Sequence, residues 1–250
     1  MATARNIVSA ILAGLGLLVA IPAVPVAILL LPLMGARRRA VELPVAALLT
    51  LLLAPTLVLL AIAARVDSPG PGLFRQRRAG LAGRPFTVLK FRTMRSDADP
   101  YGRSPHAGND PRLTRLGKFL RETSLDELPQ LLNVVAGQMS LVGPRPLYER
   151  QAAEWNDRQR RRLQVRPGLT GYAQAFGRAG LPIEDKLELD VEYVDRRSFW
   201  LDIRILAKTM ANALTGRGEV YEQRYSRDSE FERRSNPDSP GAQGDTHRPA

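Results

Sequence analysis

The chain has no cysteine. A disulfide framework, a thiolate zinc site and a cysteine nucleophile are therefore excluded. There are only two histidines, His106 and His247. A multi-histidine metal centre is out, and a Ser-His-Asp arrangement has almost no candidates. Aromatic residues make up only 6%, so the chain lacks the interleaved aromatic and basic stripe that nucleic-acid binders use. The most telling absence is local: residues 6–36 and 43–64 contain no ionisable side chain. Two such runs near the start of a chain argue against a purely soluble enzyme.

What is present is basic. The 250 residues carry 36 Lys plus Arg against 25 Asp plus Glu, a formal net charge of +11. The partner should be anionic: a membrane surface, phosphates or nucleic acid. The apolar runs favour the first two. Residues 6–36 are too long for the roughly 7–15-residue core of a signal peptide and read as a retained membrane segment, interrupted by Pro22, Pro25 and Pro32. Arg37, Arg38 and Arg39 follow, a cluster that prefers the cytoplasmic side and anionic headgroups. As an ideal helix, residues 43–64 would measure roughly 33 Å, enough to cross the hydrocarbon. Pro55 lies in the middle, and basic residues flank both ends. Two readings stay open on these grounds: a kinked transmembrane helix, or a re-entrant helix-break-helix that enters and leaves by one leaflet.

The remainder reads as a small soluble body. Residues 66–72 are a turn and loop. Residues 73–78 and 85–91 flank Gly80-Leu81-Ala82-Gly83 as a β-hairpin. Residues 96–110 are a polar loop containing His106. Helices are expected over 112–121, 124–135, 147–164 and 184–195. Residues 199–214 form an amphipathic helix for the core or the lipid interface. From about residue 222 a polar tail is read as disordered. The expected class is α+β, mainly helical. It divides into an extra membrane segment (1–36), a re-entrant membrane helix (37–65), a cytosolic catalytic body with a hairpin and amphipathic helices (66–221) and a tail (222–250).

Three constellations can carry chemistry. Asp126 and Glu127 are adjacent acids at a helix start. Ser124 to Glu127 fits a capping box, although Pro129 would sit better with Asp126 as the cap. The chemical reading is a carboxylate nucleophile or base beside a magnesium ligand. In Gly143-Pro144-Arg145-Pro146 two prolines fix the backbone around one arginine. That is either a rigid turn or a guanidinium held ready for a phosphate. Lys90-Phe91-Arg92-Thr93-Met94 ends the second hairpin strand, where alternation sends Lys90 and Arg92 to one face. Arg121 and Arg178 are further basic candidates. Arg166-Pro167-Gly168-Leu169-Thr170-Gly171 is glycine-rich but lacks the Gly-Lys-Ser/Thr ending of a P-loop.

With Asp67-Ser68-Pro69-Gly70-Pro71, Ser124-Leu125-Asp126-Glu127-Leu128-Pro129-Gln130 and Met139-Ser140-Leu141-Val142 ahead of Gly143, these motifs occur in one order. Together they resemble the bacterial sugar transferase family, the monotopic phosphoglycosyl transferases, from about Arg38 to Thr215. The resemblance implies transfer of a sugar-1-phosphate from a UDP-sugar to undecaprenyl phosphate, releasing UMP and starting glycan assembly. It implies that Asp126 is the nucleophile of a covalent phosphosugar intermediate and that Glu127 contacts Mg²⁺. Arg145 and Lys90 would contact phosphate, while Arg121, Arg178, Pro144 and Arg92 would bind substrate. It also implies membrane lipid as a partner, no nucleic acid, and a place at the bacterial inner membrane with the catalytic body facing the cytoplasm. A homo-oligomer stays open. Two features depart from the family pattern: Ala54-Pro55 stands where Ser-Pro is common, and residues 6–36 are extra. Two other classes are a membrane-anchored binding protein without catalysis and a basic nucleic-acid binder.

Overall fold

The computed structural model describes residues 38–99, 110–177 and 181–214. The membrane reading of residues 6–36, Arg37, His106, Arg178 and the tail lie outside the described residues.

The first element, α1 (Arg38–Asp67), is a 30-residue helix containing Pro44 and Pro55. From Glu42 to Asp67 it is long and apolar enough to cross a membrane by length and composition. Where the sequence suggested helix-break-helix, the helical assignment runs unbroken through Pro55. An interior proline removes one hydrogen bond, here to the Leu51 carbonyl, and disturbs a single turn. The strongly helix-forming leucines and alanines on either side continue the element.

Helix α1 has two sides. Val45, Ala46, Leu53, Leu60, Ala63 and Ala64 are buried at helical spacing against the body. On the other side Leu51, Val58 and Ile62 are 72%, 58% and 46% exposed. Both ends are fastened to the body. Near the start, buried Glu42 accepts from Ser140 Oγ at 2.5 Å and from the Leu141 backbone N–H. At the end, the Arg92 guanidinium donates to the carbonyls of Ala64 (3.0 Å), Ser68 (2.6 Å) and Pro69 (2.7 Å). Asp67 Oδ2 accepts from Leu116 N at 3.1 Å. The Arg92 bonds engage carbonyls at and just beyond the C-terminal end of the helix, where intrahelical donors run out.

The hairpin forms with β1 (Leu73–Ala79) and β2 (Pro85–Phe91) antiparallel, Phe74 opposite Lys90 and Arg78 opposite Phe86. Helix α2 (Arg115–Glu122) is capped by Thr114, whose side chain accepts from Gly117 N, so it starts three residues later than expected. The helix expected over 124–135 divides into a 3-10 turn (Leu125–Glu127) and α3 (Gln130–Val135). Ser124 is left-handed at φ 57° and its side chain caps nothing, so the capping box does not form; Pro129 itself precedes α3 as its N-cap. Asn133 on α3 ties the hairpin down: Nδ2 donates to Thr87 O at 2.7 Å and Oδ1 accepts from Leu89 N at 3.0 Å. This pairing also occupies the otherwise open edge of β2.

A second, parallel two-stranded sheet joins β3 (Ser140–Val142) to β4 (Gly168–Thr170). Residues 147–164 are not one helix. They form α4 (Glu149–Glu154), α5 (Asp157–Arg160) and a 3-10 turn (Arg161–Gln164). The break lies at buried Trp155, which is extended, and Asn156, whose side chain accepts from Gln159 N at 2.8 Å and starts a new turn. Then follow α6 (Tyr172–Phe176), α7 (Ile183–Arg196) and α8 (Phe199–Leu214). Ile205 of α8 is fully buried in the main core cluster, and Tyr193 Oη donates to Asp202 Oδ1 at 2.8 Å. Of the two roles open for α8, core packing is therefore the one seen. Among the described residues the architecture is mainly helical with two small sheets.

Candidate active site

The 3-10 turn Leu125–Glu127 turns two adjacent acids into one cavity of about 1320 Å³. Asp126 is buried and accepts no hydrogen bond among the described residues. Glu127 Oε1 receives two cations, Lys90 Nζ at 2.9 Å and Arg145 Nη2 at 2.8 Å. Lys90 comes from the end of β2, held in register by Asn133 next to Leu89. Arg145 comes from the turn after β3, and its backbone is fixed as well as its side chain. Arg162 Nη2 donates to Arg145 O at 2.6 Å while forming a buried ion pair with Asp190 Oδ2, also at 2.6 Å. The Gly143 turn rests on β4 through Gly143 N to Thr170 O at 2.9 Å. A side-chain carbon at Gly168 would lie 2.1 Å from Gly143 N, so this glycine permits the contact.

The electrostatics separate the two acids. Burial pushes Asp126 up to about 6, opposed by Lys90 and reinforced by the neighbouring Glu127 charge. Burial also acts upward on Glu127, but Arg145 and Lys90 outweigh it and hold that carboxyl far below the usual carboxylate range. Burial lowers Lys90, with Glu127 acting in the opposite direction. Thus Glu127 is the committed anion, and Asp126 is the acid whose charge the site leaves adjustable. Two adjacent acids, one buried and one half-buried, with their titrations driven apart are what different chemical roles require.

The other predicted residues have distinct places. Arg121 lines the cavity and donates to Thr93 Oγ1 at 3.0 Å. Arg92 reaches the cavity wall, but its guanidinium is bonded to the end of α1. Pro144 is buried behind Arg145, off the cavity wall, and its carbonyl accepts from Gly168 N at 2.9 Å. Sequence reasoning passed over Gln76, Arg78 and Tyr148, which also line the cavity. A usable signal existed: strand alternation puts Gln76 and Arg78 on the face shared with Lys90. Among the described residues no group of three or more Asp, Glu or His side chains could hold a metal by itself. The donor set still suits one hard cation. Mg²⁺ is commonly held by one or two carboxylates plus substrate phosphates, and Asp126 together with Glu127 Oε2 supplies oxygens without a hydrogen-bond donor attached.

The family described as bacterial sugar transferase matches residues 33–216. The chain is 44% identical over 191 residues to a UDP-glucose:undecaprenyl-phosphate glucose-1-phosphate transferase of Caulobacter vibrioides, covering 72% of this chain and 70% of that one. It is 42% identical over 194 residues to a protein of the same name from Escherichia coli, covering 72% of this chain and 41% of that one. It is also 42% identical over 185 residues to an exopolysaccharide production protein of Rhizobium leguminosarum, covering 67% of this chain and 90% of that one. The chain thus spans most of two of these relatives and less than half of the third.

Proposed function

The chain belongs to the bacterial sugar transferase family, and from that premise we propose that it moves a sugar-1-phosphate from a UDP-sugar to undecaprenyl phosphate, releasing UMP and initiating a polysaccharide. The observation that carries this reading is the acid pair: Asp126, buried and without a hydrogen bond among the described residues, beside a Glu127 already neutralised by Lys90 and Arg145. A carboxylate attacks phosphorus only where the surrounding negative charge is balanced. UDP-glucose is the first donor to test, because relatives carry it in their names.

The reaction then runs in two displacements. An Asp126 carboxylate oxygen attacks the phosphorus that bears the sugar. A new P–O bond forms, the bond to the UMP oxygen breaks, and UMP leaves with that electron pair. In the second displacement a phosphate oxygen of undecaprenyl phosphate attacks the same phosphorus. Asp126 leaves as the carboxylate and the diphosphate linkage is complete. Lys90 and Arg145 keep Glu127 ionised and present positive charge to the phosphates. Mg²⁺, held by Glu127 with Asp126 and phosphate oxygens, would supply charge neutralisation. Arg121 is a further phosphate or nucleotide contact on the same wall.

The reading extends to the membrane. The apolar outer side of α1 faces lipid while both its ends stay with the body on the cytoplasmic side of the inner membrane. The fastenings of Glu42 at one end and of Asp67 and Arg92 at the other support this. A helix that crossed the bilayer would place these two fastenings, both made to one body, on opposite sides of a hydrocarbon core about 30 Å thick. The decisive assay measures UMP release from a panel of UDP-sugars with undecaprenyl phosphate, with and without Mg²⁺. No release from any of them would remove the proposal. Single cysteines at positions 38 and 65, in this cysteine-free chain, should both be labelled from the cytoplasm only; labelling of position 38 from outside would mean that α1 spans.

A further inference from the structure

Three guanidinium groups of the body face a carboxylate or backbone carbonyls: Arg162 has Asp190, Arg145 has Glu127, and Arg92 has three backbone carbonyls. Arg78 meets neither a carboxylate nor a backbone carbonyl among the described residues. It is buried on the hairpin face that also carries Lys90, and it lines the same cavity. Its Nη2 donates to Gln76 Oε1 at 2.5 Å, and Gln76 Nε2 donates to Tyr148 Oη at 3.1 Å. Its guanidinium carbon stands 3.7 Å from the centre of the Tyr148 ring. Its Nη1 has no hydrogen-bond partner among the described residues. A neutral amide and an aromatic face are thus its whole compensation.

That arrangement is poor for stability and good for binding. A buried charged donor without a partner is costly, more so than a neutral one. The costs of ordering the side chain are already met, because the amide, the phenol and the ring fix the guanidinium plane before any ligand arrives. A guanidinium offers only donors, and its best partner is an anionic oxygen, above all a phosphate. The Arg150 guanidinium carbon also stands over the Tyr148 ring, 5.0 Å from its centre.

We propose that Arg78 is a phosphate-binding residue of the active cavity, oriented by Gln76 and Tyr148. The proposal rests on the transferase reading, which supplies two phosphates for it: that of the nucleotide diphosphosugar and that of the lipid acceptor. Strand geometry separates the Arg78 row from the Lys90 row by four residues, about 13 Å of backbone. Arg78 therefore stands to one side of the attack geometry at Asp126 and acts on binding more than on the chemical step.

The test uses the full chain in lipid nanodiscs with UDP-glucose and undecaprenyl phosphate, comparing wild type, Arg78→Gln and Arg78→Lys. Wild-type turnover on any UDP-sugar judges the transferase reading; the variants then judge Arg78. Arg78→Gln should raise one KM about tenfold or more, with kcat changed less, and Arg78→Lys should recover part of the loss because it keeps the charge. Labelling of the enzyme by phosphorus-labelled UDP-glucose, without acceptor, assigns the source. Labelling that needs more UDP-glucose means the donor's phosphate; normal labelling with a raised KM for undecaprenyl phosphate means the acceptor's. If Arg78→Gln fails to fold, Gln76→Leu, which releases the guanidinium, must raise the same KM as Arg78→Lys. Both KM values within twofold of wild type in folded variants, or Arg78→Lys no better than Arg78→Gln, would overturn the assignment.

Discussion

The two ends of α1 and the turn at Asp126 both bury charge, and they treat it in opposite ways. Glu42 accepts from a hydroxyl and a backbone N–H, and Arg92 donates to three carbonyls; the work of both is structural. At the turn, Glu127 Oε1 takes two cations, while Asp126 has burial and no hydrogen bond among the described residues. A buried charge held by several hydrogen bonds to the backbone or a hydroxyl holds a fold together. One that burial leaves with few bonds costs stability and retains the capacity to react. The contrast sorts residues that look alike in sequence: Arg92 and Lys90 lie two apart in one motif, yet one fastens a helix end and the other faces the acids.

The largest effect should come from Asp126→Asn. An amide does not attack phosphorus, so turnover should fall at least about a thousandfold, as for other single nucleophiles. Because burial raises the Asp126 pKa to about 6, its ionisation is disfavoured in the folded state. Stability contributed by the protonated form is lost as pH rises from the unfolded value, about 3.9, to about 6. At neutral pH the asparagine variant should therefore melt higher than wild type while being inactive. An inactive variant that also melts lower would place Asp126 among the structural charges and break the contrast.

Metal removal comes next. The proposed Mg²⁺ is a hard cation that carboxylate and substrate phosphate oxygens would hold together. EDTA should reduce UMP release about a hundredfold or more, as expected where transition-state charge loses a neutralising group, and Mg²⁺ should restore it. Glu127→Gln should weaken that dependence. Full activity in EDTA would count against the role assigned to Glu127.

The pH profile tests the adjustable acid directly. Asp126 must be ionised to attack, so kcat/KM should fall about tenfold per pH unit below about 6. On the alkaline side the rate should decline as Lys90 loses its proton, below the ordinary lysine value because burial lowers it. Glu127 remains ionised throughout and adds no acid limb, because Arg145 and Lys90 outweigh its burial. A profile flat from pH 5 to 8 would be incompatible with the acid pair as described.

How much of this could be read in the sequence follows the range of the interaction. The hairpin register, α8 and the apolar side of α1 are periodic patterns within one segment, and β2 and α8 have the bounds that the pattern suggested. The five motifs were legible as a set through family resemblance, which drew attention to Lys90, Glu127 and Arg145. What was illegible is what distant segments do for one another. Glu42 bonds a strand 98 residues away, Gln76 reaches Tyr148 across 72, and Arg162 reaches the Arg145 carbonyl across 17. Nothing local in Arg92 announces that a helix end will absorb its guanidinium. Local rules also misread places where tertiary packing prevails. Ser124 offers a capping box but adopts a left-handed turn that points Asp126 inward, and burial of Trp155 divides one expected helix.

The smallest effect sharpens the contrast from its structural side. Glu42→Gln keeps the shape of the side chain at the start of α1 and can still accept through its amide oxygen. It loses the charge that strengthens the bonds from Ser140 Oγ and Leu141 N. The cost should be about 1–2 kcal/mol, the difference between charged and neutral hydrogen bonds summed over two donors. It should appear as a lower melting temperature with kcat and both KM values unchanged, because Glu42 is absent from the cavity wall. Ser140→Ala removes one of the two donors and should cost about 1 kcal/mol. Combining it with Glu42→Gln should cost less than the sum, since the two side chains share one bond. If either variant lowers kcat without lowering the melting temperature, the start of α1 takes part in the reaction, and the division between structural and reactive charges does not hold at that end of the helix.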